Sequence, residues 1–201
     1  MNKVNTSTMI RTKDMTKVAM LSVIGFVLMY FQLPLTFVAP PFMKLDISDL
    51  PVLMGAFTMG PVYGIIIAGL KNLMHIIFKG TMTAGVGELS NFIISSTFAL
   101  VSSYIYRKHR TYKGAVLAMT VGVLAMTILA MASNYFVVFP LYGKVMPMEA
   151  IIAMGSAITP KITGLFTMMI YSVLPFNLIK GFTTSAVMML VYKKISPLFK
   201  N

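Results

Sequence analysis

The side chains able to do chemistry in this chain are few, and most of them stand among apolar neighbours. Lys71, Asn72 and His75 fall within two turns of one apolar run, Lys71 and His75 at i,i+4 on one face. Glu88, Asn91, Ser95 and Ser102 follow at spacings of 3, 4 and 7. Thr120, Thr127 and Asn134 recur every 7, and Asn177, Lys180 and Thr184 at 3 and 4. Each spacing puts its set on one helix face. A lysine at the centre of a membrane helix costs about 2.5–3.5 kcal/mol, so each such group needs a partner or a function. Interhelical hydrogen bonds, about 0.6–2 kcal/mol each, explain any single Asn or Ser as readily as a ligand does. Lys71 is expected to pair with Glu88. Lys180 has no acid in its own helical neighbourhood and is expected to face a ligand or a cavity.

Catalysis is poorly served by this inventory. The acids are Asp14, Asp46, Asp49, Glu88 and Glu149 and the histidines His75 and His109, which supply neither a catalytic carboxylate pair within a span nor a metal cluster. Asp46 and Asp49, at i,i+3, are the sole close acidic pair. They would hold a cation weakly, and their expected role is to cap the second helix through Asp46 or Ser48. No P-loop is present, so ATP-driven work requires another protein. The absence of cysteine excludes disulfides, thiolate metal sites and a cysteine nucleophile. The 20 methionines scatter without a repeated MxxM cluster and serve packing rather than copper. The chain is therefore expected to be no enzyme and to hold no metal and no resident cofactor.

These residues are positioned by a chain built for lipid. Of 201 residues, 57% are hydrophobic and 11% charged, against about 45–50% and about 25% in soluble domains, and mean hydropathy is +0.82. The expected class is all-α, an integral membrane protein with six spans: Met15–Leu33, Ser48–Met59, Val62–Phe78, Glu88–Tyr106, Gly114–Phe139 and Thr163–Tyr192. Gly60-Pro61 separates the second and third, and Pro175 gives the last a place to kink. The first run is too long for a cleaved signal peptide.

The net charge of +12 sets orientation rather than nucleic-acid binding. Lys3, Arg11, Lys13, Lys17, Arg107, Lys108, Arg110, Lys113, Lys193, Lys194 and Lys200 share one side, whereas Lys44, Lys79, Lys144 and Lys161 share the other. The positive-inside rule then puts both termini in the cytoplasm of a multi-pass cell-membrane protein. The outer connections are the unusual ones: Pro34–Ile47 with three prolines, Gly80–Gly87 with three glycines, and Pro140–Ile162 with an amphipathic stretch around Glu149–Ala157. Phe37, Phe42, Tyr135, Phe136 and Phe139 fall near this face, able to anchor in the interface or to stack on a planar ligand.

The run from Pro40 to Pro51 (PPFMKLDISDLP), with Gly55-Ala56-Phe57 and Gly60-Pro61 after it, resembles the first outer loop and second helix of the S components of energy-coupling factor (ECF) vitamin transporters. Lys71-Asn72 with His75, Gly85-Val86-Gly87-Glu88-Leu89 with Asn91-Phe92, Asn134-Tyr135-Phe136 with Pro140-Leu141-Tyr142, and Pro175-Phe176-Asn177 with Lys180-Gly181 extend the likeness from Lys17 to Lys194. It is closest to the riboflavin-specific member. The resemblance implies one substrate-binding domain over 1–201, with a cytoplasmic tail over about 1–14 and a lid loop over about 34–47. It implies high-affinity capture of riboflavin from outside, and partnership with a transmembrane T component and two cytoplasmic ATPases.

Carried over, Asn134, Asn177 and Lys180 become polar ligands and Glu88 and Asn91 further candidates. The lid brings Phe37, Phe42 and Lys44. A small-residue AxxxA contact for the T component falls on the first helix, where Ala19, Ser22, Val23 and Phe26 share a face and Val23 departs from alanine. One or two lysines without arginine make no dedicated phosphate site, so the free vitamin is expected rather than its phosphate. The rival readings are the same architecture for thiamine or pantothenate, and an orphan membrane structural or assembly protein.

Overall fold

Prolines, glycines and the ends of apolar runs decide where the helices start and stop. A computed structural model of the chain describes residues 12–81 and 83–195. Helix α1 (Thr12–Leu28) leads into a two-residue antiparallel pairing, β1 (Leu33–Pro34) with β2 (Lys44–Leu45), in which Leu33 faces Leu45. Helices α2 (Asp49–Thr58), α3 (Pro61–Lys79), α4 (Val86–Lys108) and α5 (Tyr112–Ser133) follow. A π-helical turn (Asn134–Val138) joins α5 to α6 (Phe139–Tyr142); after α7 (Met148–Ser156), a second π turn (Met169–Val173) joins α8 (Leu165–Met168) to α9 (Leu174–Ile195). Of the expected tail, residues 1–11 lie outside the described residues, and Thr12–Asp14 already belong to α1.

The local causes are readable. Pro61 stands at the start of α3, where its missing N–H is no loss. Thr111 caps α5, its side chain accepting from the Gly114 N–H at 3.0 Å. Helix α1 stops at Leu28 rather than at the expected Leu33, because Tyr30 and Phe31 close tight turns onto Val27 and Leu28 and the chain then enters the hairpin. The expected loop 34–47 is thus a hairpin with a paired stem. Among the described residues four segments are long and apolar enough to cross a membrane: Pro61–Lys79, Val86–Lys108, Tyr112–Tyr142 and Leu165–Val191.

Each π turn is followed, after one intervening residue, by a proline. The Phe139 N–H reaches back to the Asn134 carbonyl and the Leu174 N–H to that of Met169, each one residue further than in an α-helix, and Pro140 and Pro175 come next. A proline ring would clash with the carbonyl four residues behind it, and the widened turn relieves that clash. The kink expected at Pro175 takes this form.

Helix α4 packs between α3 and α5, α9 lies along α5, and α1 lies against α2 and α3. The main core joins Phe98, Tyr106, Met119, Val123, Met126, Met168 and Met188, with Phe57 stacked on Tyr106 at 4.5 Å between ring centroids. A smaller one gathers Val18, Val52, Ala56, Ile67, Ala68 and Ala99. Gly122 permits a close approach of α5 to α4: a Cβ there would lie 1.9 Å from Ser102 Oγ and 2.9 Å from Phe98 Cδ2. Gly122→Val should cost about 1–3 kcal/mol, read as a lowered melting temperature in detergent; a melting temperature equal to wild type would show that the two helices separate without penalty.

Candidate functional site

The hairpin ends in a buried knot of charge. Asp46, the residue after β2, turns its Oδ1 to the Ser48 N–H at 2.9 Å and to the Ser48 hydroxyl. One turn on, Asp49 Oδ1 accepts the Lys71 ammonium at 2.6 Å and the Ser95 hydroxyl. Lys71 also donates to Ser48 Oγ at 2.7 Å. From α9, Lys180 Nζ stands 3.5 Å from Asp49 Oδ2 and 3.7 Å from Asp46 Oδ2. All four charged residues are buried, none more than 5% exposed. Two cations and two anions cancel, as burial in a low-dielectric interior requires.

This arrangement corrects two expectations. Lys71 does not pair with Glu88: its partner is Asp49, reached across the α2–α3 packing, while Glu88 faces the His75 ring, Oε1 3.3 Å from Nδ1, and accepts from Thr81 Oγ1 at 3.0 Å. Ser48 makes no side-chain cap to α2, because its hydroxyl is taken by Asp46 and Lys71. The knot residues that the expected binding set leaves out are Asp46, Ser48, Asp49, Lys71 and Ser95. The signal was present in the charge arithmetic, since two lysines within apolar runs need two acids and Asp46 and Asp49 are the sole close pair.

Asn134 opens one π turn, and Asn177 follows the other. Both are buried, their amides donating to the backbone four residues back, Asn134 to Ala130 at 2.7 Å and Asn177 to Val173 at 2.8 Å. Asn91 is half-buried, its Oδ1 3.0 Å from Ser95 Oγ, at the margin of the knot. Thus Asn91 and Lys180 meet at one cluster, whereas Glu88 belongs to a separate pair with His75.

The aromatic groups divide. Phe42 packs edge-on against Phe139 and Tyr142, with centroids at 6.1 and 5.5 Å, and lines a crevice with Thr83, Tyr142, Val145, Met146 and Ile151 that holds about 320 Å³ of empty space, part of it open to solvent. Phe37 is 74% exposed and Lys44 is exposed on β2, so the structure does not bring these two to the buried set. Phe136 is exposed too. On α1 the expected shared face is split: Ala19 and Val23 are exposed, Phe26 is half-buried against Tyr30 and Phe78, and Ser22 turns inward, its hydroxyl bonded to the Val18 carbonyl at 2.7 Å.

The described residues thus hold a buried charge knot at the foot of a hairpin, two buried asparagines at the π turns and an aromatic crevice. The sequence matches the family "ECF transporter, substrate-specific component" over residues 13–192. The chain belongs to this family. Among relatives of this S component, the riboflavin transporter RibU of Staphylococcus aureus (strain TCH60) is 34% identical over 191 residues, 95% of this chain and 94% of that protein. The riboflavin transporter FmnP of Bacillus subtilis (strain 168) is 32% identical over 188 residues, 93% of this chain and 94% of that one. A solved structure of the S component of a bacterial ECF transporter superposes with a TM-score of 0.73 at 35% identity, covering 94% of this chain and 98% of that chain. The S component is a transporter subunit of the membrane and not an enzyme, which sets aside the reading as an orphan structural or assembly protein.

Lys71 is the structural half of the knot. Lys71→Met should destabilise the S component by about 3 kcal/mol by leaving Asp49 short of a counter-charge, and adding Asp49→Leu should recover most of that loss. Thermal unfolding of the single and double variants checks this; equal melting temperatures for the single variant and wild type would mean that the pair contributes nothing.

Proposed function

We propose that the S component binds free riboflavin at the outer end of a six-crossing bundle and hands it to a transport module of one T component and two cytoplasmic ATPases. The observation that carries this reading is the 34% identity, over nearly the full length of both chains, to a riboflavin transporter, supported by a second at 32%. The six crossings are α1, α2 together with the hairpin that leads into it, α3, α4, the run from α5 to α6, and the run from α8 to α9. Both termini are cytoplasmic, as the excess of basic residues on their side requires.

The chemistry of the site suits the vitamin. Its isoalloxazine is a large flat ring that fits beside Phe42, Phe139 and Tyr142, and its ribityl chain carries hydroxyls for Asn134, Asn177 and Lys180. Each asparagine uses one N–H on its own helix and has a second N–H and a carbonyl oxygen in its inventory. Glu88 and Asn91 border the site. The whole chain is one domain, with the segment of about 34–47 as its lid; Phe37 and Lys44 join the ligand when the hairpin closes. No arginine is available to fork onto a phosphate, which favours the free vitamin.

Energy reaches this subunit through contact, because it carries no nucleotide-binding loop. The exposed α1 stripe around Ala19 and Val23 is the docking surface for the T component, small side chains letting a membrane helix approach closely. Phe26 lies toward its edge. Ser22, turned inward, is outside it.

Riboflavin added to the purified protein should lose its fluorescence saturably as the ring stacks, and excess thiamine or pantothenate should leave the titration unchanged. Lys180→Met should weaken riboflavin binding by roughly ten- to a hundredfold, equivalent to about 1.5–3 kcal/mol. Saturable binding of thiamine or pantothenate without flavin binding would overturn the substrate assignment.

A further inference from the structure

We infer that Asp46 is a positioning residue: it orients the Lys180 ammonium toward the ligand and ties the foot of the lid hairpin to that lysine. The inference rests on the assignment of Lys180 to the riboflavin site and adds to it the group that holds the lysine there.

The two buried lysines are held in different ways. Lys71 makes short contacts, 2.6 Å to Asp49 Oδ1 and 2.7 Å to Ser48 Oγ, in the range of charge-assisted hydrogen bonds. Lys180 stands at 3.5 and 3.7 Å from its two carboxylate oxygens, beyond the about 2.7–2.9 Å of such a bond. Asp49 Oδ2 has no hydrogen-bond partner. The ammonium is thus retained by the field of two carboxylates while its donors stay available, and a ligand hydroxyl or carbonyl can take one without breaking a short ion pair. Asp49 is already neutralised by Lys71. Asp46 is the acid left to balance Lys180.

Asp46 also belongs to the lid. It follows β2 directly, is 3% exposed, and is pinned through Oδ1 by Ser48, so that its Oδ2 is directed across to α9. A ligand that draws on Lys180 therefore acts on a group whose counter-charge sits at the hairpin's foot. Lid position and ligand binding become linked through one contact between oppositely charged groups.

A double-mutant cycle on the full chain tests this. Asp46→Asn keeps the shape and an acceptor for Ser48 while removing the charge. It should weaken riboflavin binding about tenfold in the wild-type background and cause no further loss in Lys180→Met, and Asp46→Glu should recover part of the affinity. An equal loss in both backgrounds, or none in either, overturns the inference and makes Asp46 a structural residue. A second measurement needs neither Asp46 variant nor ligand. The chain has no cysteine, so a spin label on Phe37→Cys reports the hairpin alone; Lys180→Met should increase its mobility, and an unchanged spectrum overturns the tie. Failure of wild type to bind riboflavin would instead count against the proposed function, leaving the spin-label result as the separate reading of the tie.

Discussion

Charge neutrality in a medium that cannot solvate charge is the constraint on which this molecule is arranged. Two lysines in the interior of a membrane protein each carry a solvation penalty of several kcal/mol unless an anion is brought to them. Asp46 and Asp49 are those anions, delivered from a hairpin and from the start of a short helix. Meeting the constraint draws the foot of the hairpin, α2, α3, α4 and α9 to one point. Gly25 of α1 completes the enclosure, since a Cβ there would lie 3.4 Å from the Lys71 stem. The depth at which the hairpin is rooted follows from where its counter-charges lie.

The two asparagines depend on a second constraint, the inability of proline to continue a helix. Pro140 and Pro175 each force the turn before them to widen. Asn134 begins one widened turn, and Asn177 donates to the last carbonyl of the other. The carboxamides thereby sit where the backbone ladder is already altered, a place where π turns often accompany function. Close packing elsewhere compensates, with small residues on α4 and α5 allowing their backbones together.

The sequence was most informative where one segment decides the outcome. Gly60-Pro61 separates α2 from α3, Pro61–Lys79 and Val86–Lys108 fall within two residues of the expected runs, and the motifs from Pro40 to Gly181 pointed to the family now matched over 13–192. It was least informative where two distant segments decide. Neighbouring runs point Lys71 to Glu88, but Asp49 is closer across the α2–α3 contact, and helical spacing carries no information about which neighbouring helix supplies a partner. The shared face on α1 failed for a related reason: Ala19 and Ser22 are neighbours on a helical wheel, yet the boundary between buried and exposed runs between them. The early stop of α1 at Leu28 reflects the pairing of Leu33 with Leu45, which only the folded hairpin reveals.

Helix α2 has 10 residues and climbs about 15 Å, half of the about 30 Å hydrocarbon layer. Its Gly60 end lies beside Arg107 at the end of α4, and its other end meets Lys71 and Ser95, well inside their helices. On the proposed six-crossing arrangement, the hairpin that leads into α2 would dip toward the middle of the bilayer, where non-helical backbone is tolerated only inside protein or along a cavity. On the proposed function, a solute moving down to Lys180 would exchange its hydration shell for side-chain contacts before it had left the outer half of the membrane. Selection on that reading would turn on dehydration: a neutral, flat, hydroxyl-bearing molecule would surrender its water cheaply, whereas a phosphorylated or strongly cationic one would face a steep rise in free energy at the threshold.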